Sequence, residues 1–278
     1  MKTIYYYQSF CGLEKLSSHI KDIDVIILSS IHFGSFKNDP YIHLNNYDPD
    51  SPKFNEVWKE VKELHDKGVQ ILLMVGGAGG AYGNLFKDFD IYYPLLFKLL
   101  RKYNFISGID LDIEEEADIK DVKKLMNQLI KDFGEDFTLT MAPVADSLMT
   151  DGQGMGGFSY KELYNSPEGK YIKWFNTQCY NSYTLETYDS IIKNGYPPEK
   201  VVFGMLSGDY DDFNTSLNEI KKVVTKYPKM NGVMIWEYNT SPPDKNDPSQ
   251  WCASVKKISI DVDHANRGFL GIFGPYKF

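Results

Sequence analysis

Residues 107–114 read Ser-Gly-Ile-Asp-Leu-Asp-Ile-Glu, so Asp110, Asp112 and Glu114 fall on every second residue with Ile109, Leu111 and Ile113 between them. An extended chain sends alternate side chains to opposite faces, which puts the three carboxyls on one face and the three aliphatics on the other. Same-face neighbours lie about 6.5 Å apart, twice the strand rise. In a pocket shielded from water, carboxyls at that spacing couple, and part of the set holds a proton at neutral pH. The outermost, Glu114, is the expected holder, and a protonated carboxyl there is a general acid. A divalent-metal site is the rival chemistry. It lacks an obvious fourth ligand, and the five histidines (19, 32, 43, 65 and 264) are scattered, so neither metal nor cofactor is expected. Glu115, Glu116 and Asp118 suit the first turn of the following helix, where negative charge favours the helix dipole.

Such an acid-bearing strand needs a scaffold that buries both its faces. Apolar, β-rich runs occur at 3–8, 25–33, 70–77, 107–114, 137–144, 174–181, 201–206 and 232–239. Helical patterns separate them. Residues 55–68 place Val57, Val61 and Leu64 on one stripe and stop at a glycine, residues 118–134 do the same with Val122, Leu125, Met126 and Leu129, and residues 214–228 run from an Asn/Thr cap to a proline. Eight such units predict a single closed (β/α)8 barrel over residues 1–278, with 259–278 as a tail packed on its outside. An open, doubly wound sheet is the alternative. Strands of a parallel barrel are buried on both faces, so the aliphatics of 107–114 meet the helices and the acids point inward. Glu114 then stands at the C-terminal rim, where barrel enzymes keep their active sites.

Composition narrows the partners. Thirty basic against 38 acidic residues give a net charge of −8, which disfavours nucleic acid and anionic membrane surfaces. The three cysteines (11, 179 and 252) form neither a disulfide framework nor a metal pair. No run approaches a membrane span, and the opening residues lack the apolar stretch and cleavage site of a secretory signal, which leaves the compartment open. A monomer is expected. The glycines at 75–80 match neither common phosphate-loop pattern, so Gly76 and Gly77 read as close backbone packing at the barrel mouth. Tyr6, Tyr7 and Phe33, near the ends of the first two strands, are candidate groove residues.

The stretch 107–114 resembles the D-G-x-D-x-D-x-E signature of family 18 glycoside hydrolases, which include chitinases. Residues 74–77 (Met-Val-Gly-Gly) resemble that family's S-x-G-G, 140–144 its M-A-P segment, 178–181 (Gln-Cys-Tyr-Asn) its Q-x-Y-N, and 232–239 its tryptophan-bearing last strand. The resemblance implies a (β/α)8 barrel that hydrolyses β-1,4-linked N-acetylglucosamine, in chitin or chitooligosaccharides, with retention and with the substrate's acetamido oxygen as nucleophile. Glu114 would protonate the glycosidic oxygen and later activate water. Asp112 would hold the acetamido N–H, with Asp110 beneath sharing a proton. Tyr180 would donate to the acetamido carbonyl, Gln178 would lie beside it with Asn181 closing the motif, and Trp236 would form the floor next to Met141.

Two departures stand out. Ser107 replaces the first aspartate, which usually helps the hydrogen bonding below the position of Asp110, and Met74 replaces the serine of the third strand. The small α+β domain that some members insert before the last strand is absent from 207–231, which implies an open cleft and endo-type cutting. The glycine-rich segment 145–158 is expected to form one wall of the cleft. Two other activities fit the same motif: an endo-β-N-acetylglucosaminidase acting on N-glycan cores, and a lectin of this fold that binds without cleaving. The strand-six Gln-Cys-Tyr-Asn leans toward the chitinase, and the retained Glu114 speaks against the lectin.

Overall fold

The computed structural model describes residues 1–208 and 212–272. Its strands are β1 (Lys2–Tyr7), β2 (Val25–Phe36), β3 (Asp39–Leu44), β4 (Gln70–Gly76), β5 (Ile106–Asp112), β6 (Thr138–Met141), β7 (Ile172–Gln178), β8 (Val201–Leu206) and β9 (Gly232–Trp236). Neighbours run β1-β9-β8-β7-β6-β5-β4-β2, and a β1–β2 pairing closes the ring, so eight parallel strands form the predicted barrel. The ninth, β3, was not read from the sequence. It folds back antiparallel on the upper half of β2, with Phe36 opposite Asp39. Pro40 near its start suits an edge, where a missing N–H leaves no inner ladder bond unmade.

The helices are α1 (Asn55–Asp66), α2 (Tyr82–Lys87), α3 (Phe89–Lys102), α4 (Ile119–Phe133), α5 (Asp146–Met149), α6 (Tyr160–Asn165), α7 (Leu185–Lys193), α8 (Phe213–Lys226) and α9 (Gln250–Ile272). α1 buries Val57, Trp58, Val61 and Leu64, each worth about 1.5–3 kcal/mol of transfer free energy as an upper bound. α4 starts at Asp118, which accepts from the Lys120 N–H, and stops at Gly134 with φ +89°. The cap of α8 is Asp212 rather than the expected Asn/Thr pair, and it takes both the Asn214 N–H at 2.9 Å and the Thr215 hydroxyl at 2.7 Å. After β1 the crossover is a 3-10 helix, Glu14–Asp22. There the Ser18 hydroxyl returns to the Lys15 carbonyl, a local bond that competes with regular helix. α9 buries Trp251, Cys252, Val255 and Val262, and the expected tail continues this helix to Ile272. Residues 273–278 of that tail lie outside the described residues.

Strand periodicity sorts the core into two layers. Tyr5, Tyr7, Ile109, Leu111 and Ile113 belong to the large cluster between strands and helices. Ile4, Tyr6, Leu72, Met74, Val202 and Met234 fill the barrel itself. Asp110 and Asp112 therefore share the barrel interior with an apolar filling.

Candidate active site

Asp110 lies at the bottom of the acid column and is fully buried. Its Oδ2 accepts from the Tyr6 hydroxyl at 2.7 Å, across the barrel from β1. Its Oδ1 accepts from the Thr140 hydroxyl at 2.5 Å and the Asn176 Nδ2 at 2.9 Å, on β6 and β7. Burial raises the proton affinity of this carboxyl, and the three donors oppose that rise.

Asp112 is one step closer to the rim and still only 5% exposed. Burial, then the charges of Glu114 and Asp110, push it well above the usual carboxylate range. Removal from water thus gives Asp112, one step below the rim, a raised proton affinity. Among the described residues no hydrogen bond joins Asp112 to Asp110, and a negative charge on Asp110 adds to the proton affinity of Asp112.

Gln178, at the end of β7, binds the upper pair. Its Nε2 lies 3.2 Å from Asp112 Oδ1, 3.3 Å from Glu114 Oε1 and 2.8 Å from the Ala142 carbonyl. Glu114 is half-buried and stands just beyond the strand end, lining a cavity of about 280 Å³ at the C-terminal rim. Tyr180 and Trp236 line the same cavity, over a floor of Met74 and Met234. The Trp236 ring packs against Tyr6 with centroids 5.3 Å apart. The wall beside the acids is backbone. Gly76 (φ +96°) and Gly77 (φ +78°) leave β4 in the left-handed region, and the Gly77 N–H bonds the Asp112 carbonyl at 2.8 Å. A Cβ on Gly76 would come within 2.2 Å of that carbonyl oxygen, so only glycine allows this approach.

The family model of the glycosyl hydrolases family 18 matches residues 2–208. The chain belongs to glycosyl hydrolase family 18. A solved fungal endo-β-N-acetylglucosaminidase of this family is 30% identical, with a TM-score of 0.83 over 93% of this chain and 98% of that one. The solved chitinase ChiC from Aspergillus fumigatus is 31% identical, with a TM-score of 0.81 over 92% of this chain and 98% of that one. Chitinase 2 of Rhizopus oligosporus is 23% identical over 77% of this chain, which spans only 44% of that relative's length.

For this family 18 chain, the cavity brings together Tyr6, Gly76, Gly77, Asp112, Glu114, Gln178, Tyr180 and Trp236 of the sequence-read candidates, with Asp110 directly below. Four others need correction, Tyr7 first, since it is fully buried on the helix side of β1. Met141 is fully buried among the helix-side residues, because Thr140, its neighbour on β6, takes the inward face toward Asp110. Phe33 also faces the helices, edge-on to Tyr92 with centroids 5.9 Å apart. The register of β2 shifts between Leu28 and Ile31, and that irregularity reverses which residues point inward. Asn181 is exposed at φ +59° beyond the strand and does not line the cavity.

Ser107, the departure from the signature's first aspartate, lies away from the three acids, its hydroxyl 3.3 Å from the Ile71 carbonyl. Two further expectations fail on the same kind of evidence. Segment 145–158 does not wall the cavity. It forms α5 and a turn tied down by the Gly154 N–H to Phe158 carbonyl bond at 2.9 Å, with Phe158 buried. Glu115 does not serve its own helix either: it binds amides at the start of α2. Thr140, Asn176 and Ser30 were missed. Asn176 was within reach of the sequence, since it lies two residues before Gln178 and so on its face.

Proposed function

We propose that this chain hydrolyses β-1,4-linked N-acetylglucosamine with retention of configuration, the substrate's 2-acetamido group acting as nucleophile. The observation that carries the reading is the inward column of Asp110, Asp112 and Glu114, with buried Asp112 directly beneath a half-buried Glu114 in an open cavity at the barrel rim. Glu114 gives its proton to the glycosidic oxygen while the acetamido carbonyl oxygen bonds the anomeric carbon, and the bond to the leaving sugar breaks. An Asp112 carboxyl oxygen accepts the acetamido N–H. Tyr180 donates to the acetamido oxygen, and Trp236 lies under the sugar ring. The Glu114 carboxylate then takes a proton from water, which attacks the anomeric carbon and releases the acetamido group.

Endo-type cutting by a monomer completes the proposal. It is supported by the short β8–β9 connection, in which α8 is the one helix or strand among the described residues. A net charge of −8 suits a neutral polysaccharide better than an anionic one. An endo-β-N-acetylglucosaminidase acting on N-glycan cores stands as the second reading, favoured by the 30% identity to a solved enzyme of that name. Retention of Glu114 with its Gln178 bond argues against a lectin.

The test is product analysis on chitooligosaccharides alongside glycan release from a glycoprotein, with wild type and Glu114→Gln. We expect internal cleavage of the oligomers by wild type. Glu114→Gln should lose nearly all turnover and still bind the sugar, because its shape is kept and its proton is not. Unchanged rates in that variant would refute the assignment of Glu114. Glycan release without oligomer cleavage would move the substrate to the N-glycan core, and release of dimers alone from one chain end would overturn the endo mode.

A further inference from the structure

Glu115 follows the proposed acid and faces away from the cleft. Its Oε1 accepts the Ala81 N–H and, at 2.5 Å, the Tyr82 N–H, and its Oε2 lies 3.3 Å from the Gly83 N–H. These are three successive amides where the β4–α2 loop enters α2, a helix whose N-cap residue Ala81 supplies no side-chain bond of its own. The same loop begins at Gly76 and Gly77, which wall the cavity beside the acids, and its Gly77 N–H is already bonded to the Asp112 carbonyl. It also carries Gly80, whose carbonyl lies 3.2 Å from His32 Nδ1, and the other ring nitrogen of His32 lies 2.8 Å from the hydroxyl of Ser30, a cavity residue. The chain leaving β5 is therefore fastened to the neighbouring wall at two points, one before Glu114 and one after it. Two residues further on, the Ala117 N–H bonds the Gly156 carbonyl at 2.9 Å and ties down the far side.

We propose that Glu115 is a positioning residue: by clamping the β4–α2 loop it fixes the backbone from which Glu114 reaches the glycosidic oxygen. The inference rests on the reading of Glu114 as the acid. An ionised carboxylate has acceptor sites enough for three amides, and charge-assisted bonds of this kind are about twice as strong as neutral ones. A glutamine fits the same space but offers one acceptor oxygen, and turns an NH2 toward one of the donors. A sidestep of the acid by about 1 Å costs on the order of 100-fold in rate.

The experiment compares wild type, Glu115→Gln, Ala81→Ser and the double variant on chitooligosaccharides. Ala81→Ser gives α2 a cap of its own without touching Glu115's link to Glu114. For Glu115→Gln we expect kcat to fall about 10- to 100-fold with KM within about twofold, and faster hydrogen exchange at the Ala81, Tyr82 and Gly83 amides. The double variant should regain thermal stability and amide protection while kcat stays low. Recovery of kcat together with stability would reduce Glu115 to a helix cap and overturn the proposal, as would a kcat within about twofold of wild type in Glu115→Gln. Amide exchange unchanged in Glu115→Gln would refute the clamp itself, whether or not the substrate assignment holds. Failure of the underlying reading shows separately, as turnover that survives Glu114→Gln.

Discussion

Tyr6→Phe removes one oxygen atom from the centre of the barrel. The ring keeps its packing on Trp236 at 5.3 Å. What disappears is the 2.7 Å bond to Asp110 Oδ2. The two remaining donors, Thr140 and Asn176, both serve Oδ1, so Oδ2 is left bare in a fully buried carboxyl. A hydrogen bond to a charged group is worth about 1.5–3 kcal/mol. If ionised Asp110 is needed in the reaction, that loss appears in the barrier and lowers kcat about 10- to 150-fold, at about 1.4 kcal/mol per factor of ten. KM should change little, because the hydroxyl is committed to Asp110. The bond holds down the proton affinity of Asp110, so its removal tightens proton binding by the acid column and moves the corresponding limb of the pH–rate profile to higher pH. Thr140→Val should cost less, since Oδ1 retains Asn176. The assay is steady-state kinetics on a chitooligosaccharide across pH, with thermal melts to confirm folding. A kcat within about twofold of wild type and an unmoved profile would show that the chemistry does not require Asp110 as an anion.

Asp112→Asn is expected to lose activity and to change the pH dependence of stability. A carboxyl raised above its unfolded value contributes stability below that value and loses it as pH rises toward the folded one, so the variant should gain on wild type as pH rises above the ordinary carboxylate range; melting curves that stay parallel as pH rises would contradict the raised proton affinity. Gly76→Ala meets both a φ of +96° and the Asp112 carbonyl at 2.2 Å, whereas Gly68→Ala, at the same φ, meets nothing within 4 Å. Backbone strain alone costs about 1–3 kcal/mol, so both variants should melt lower and Gly76→Ala distinctly more so; equal shifts would deny the close approach.

The acid column and the closed barrel were legible because strand periodicity needs only residue type and spacing. Asp110, Asp112 and Glu114 share a parity, and a strand buried on both faces must turn that parity inward. The errors have the same physical origin. Met141 was placed by motif likeness, although the inward set on β6 runs through Thr140. That error could have been caught by counting. Phe33 could not, because the irregularity in β2 that reverses its face leaves no mark in residue type. Nor could the role of Glu115, whose amide partners lie 32 to 34 positions earlier in the chain. The raised proton affinity of Asp112 required depth as well as order: spacing tells which carboxyls couple, and burial decides how strongly one of them resists ionisation.

β1 faces two ways, and that gives the first strand an outsized part in the molecule. On one side the Tyr5 hydroxyl meets the Pro248 carbonyl at 2.6 Å and the Cys252 amide at 3.1 Å, joining it to the last helix. On the other, Tyr6 reaches through the lumen to Asp110. It acts as a keystone. A fragment lacking these few residues would lose a stave of the cylinder and flood the interior, and the three acids, wetted and far less coupled, would revert to unremarkable surface carboxylates.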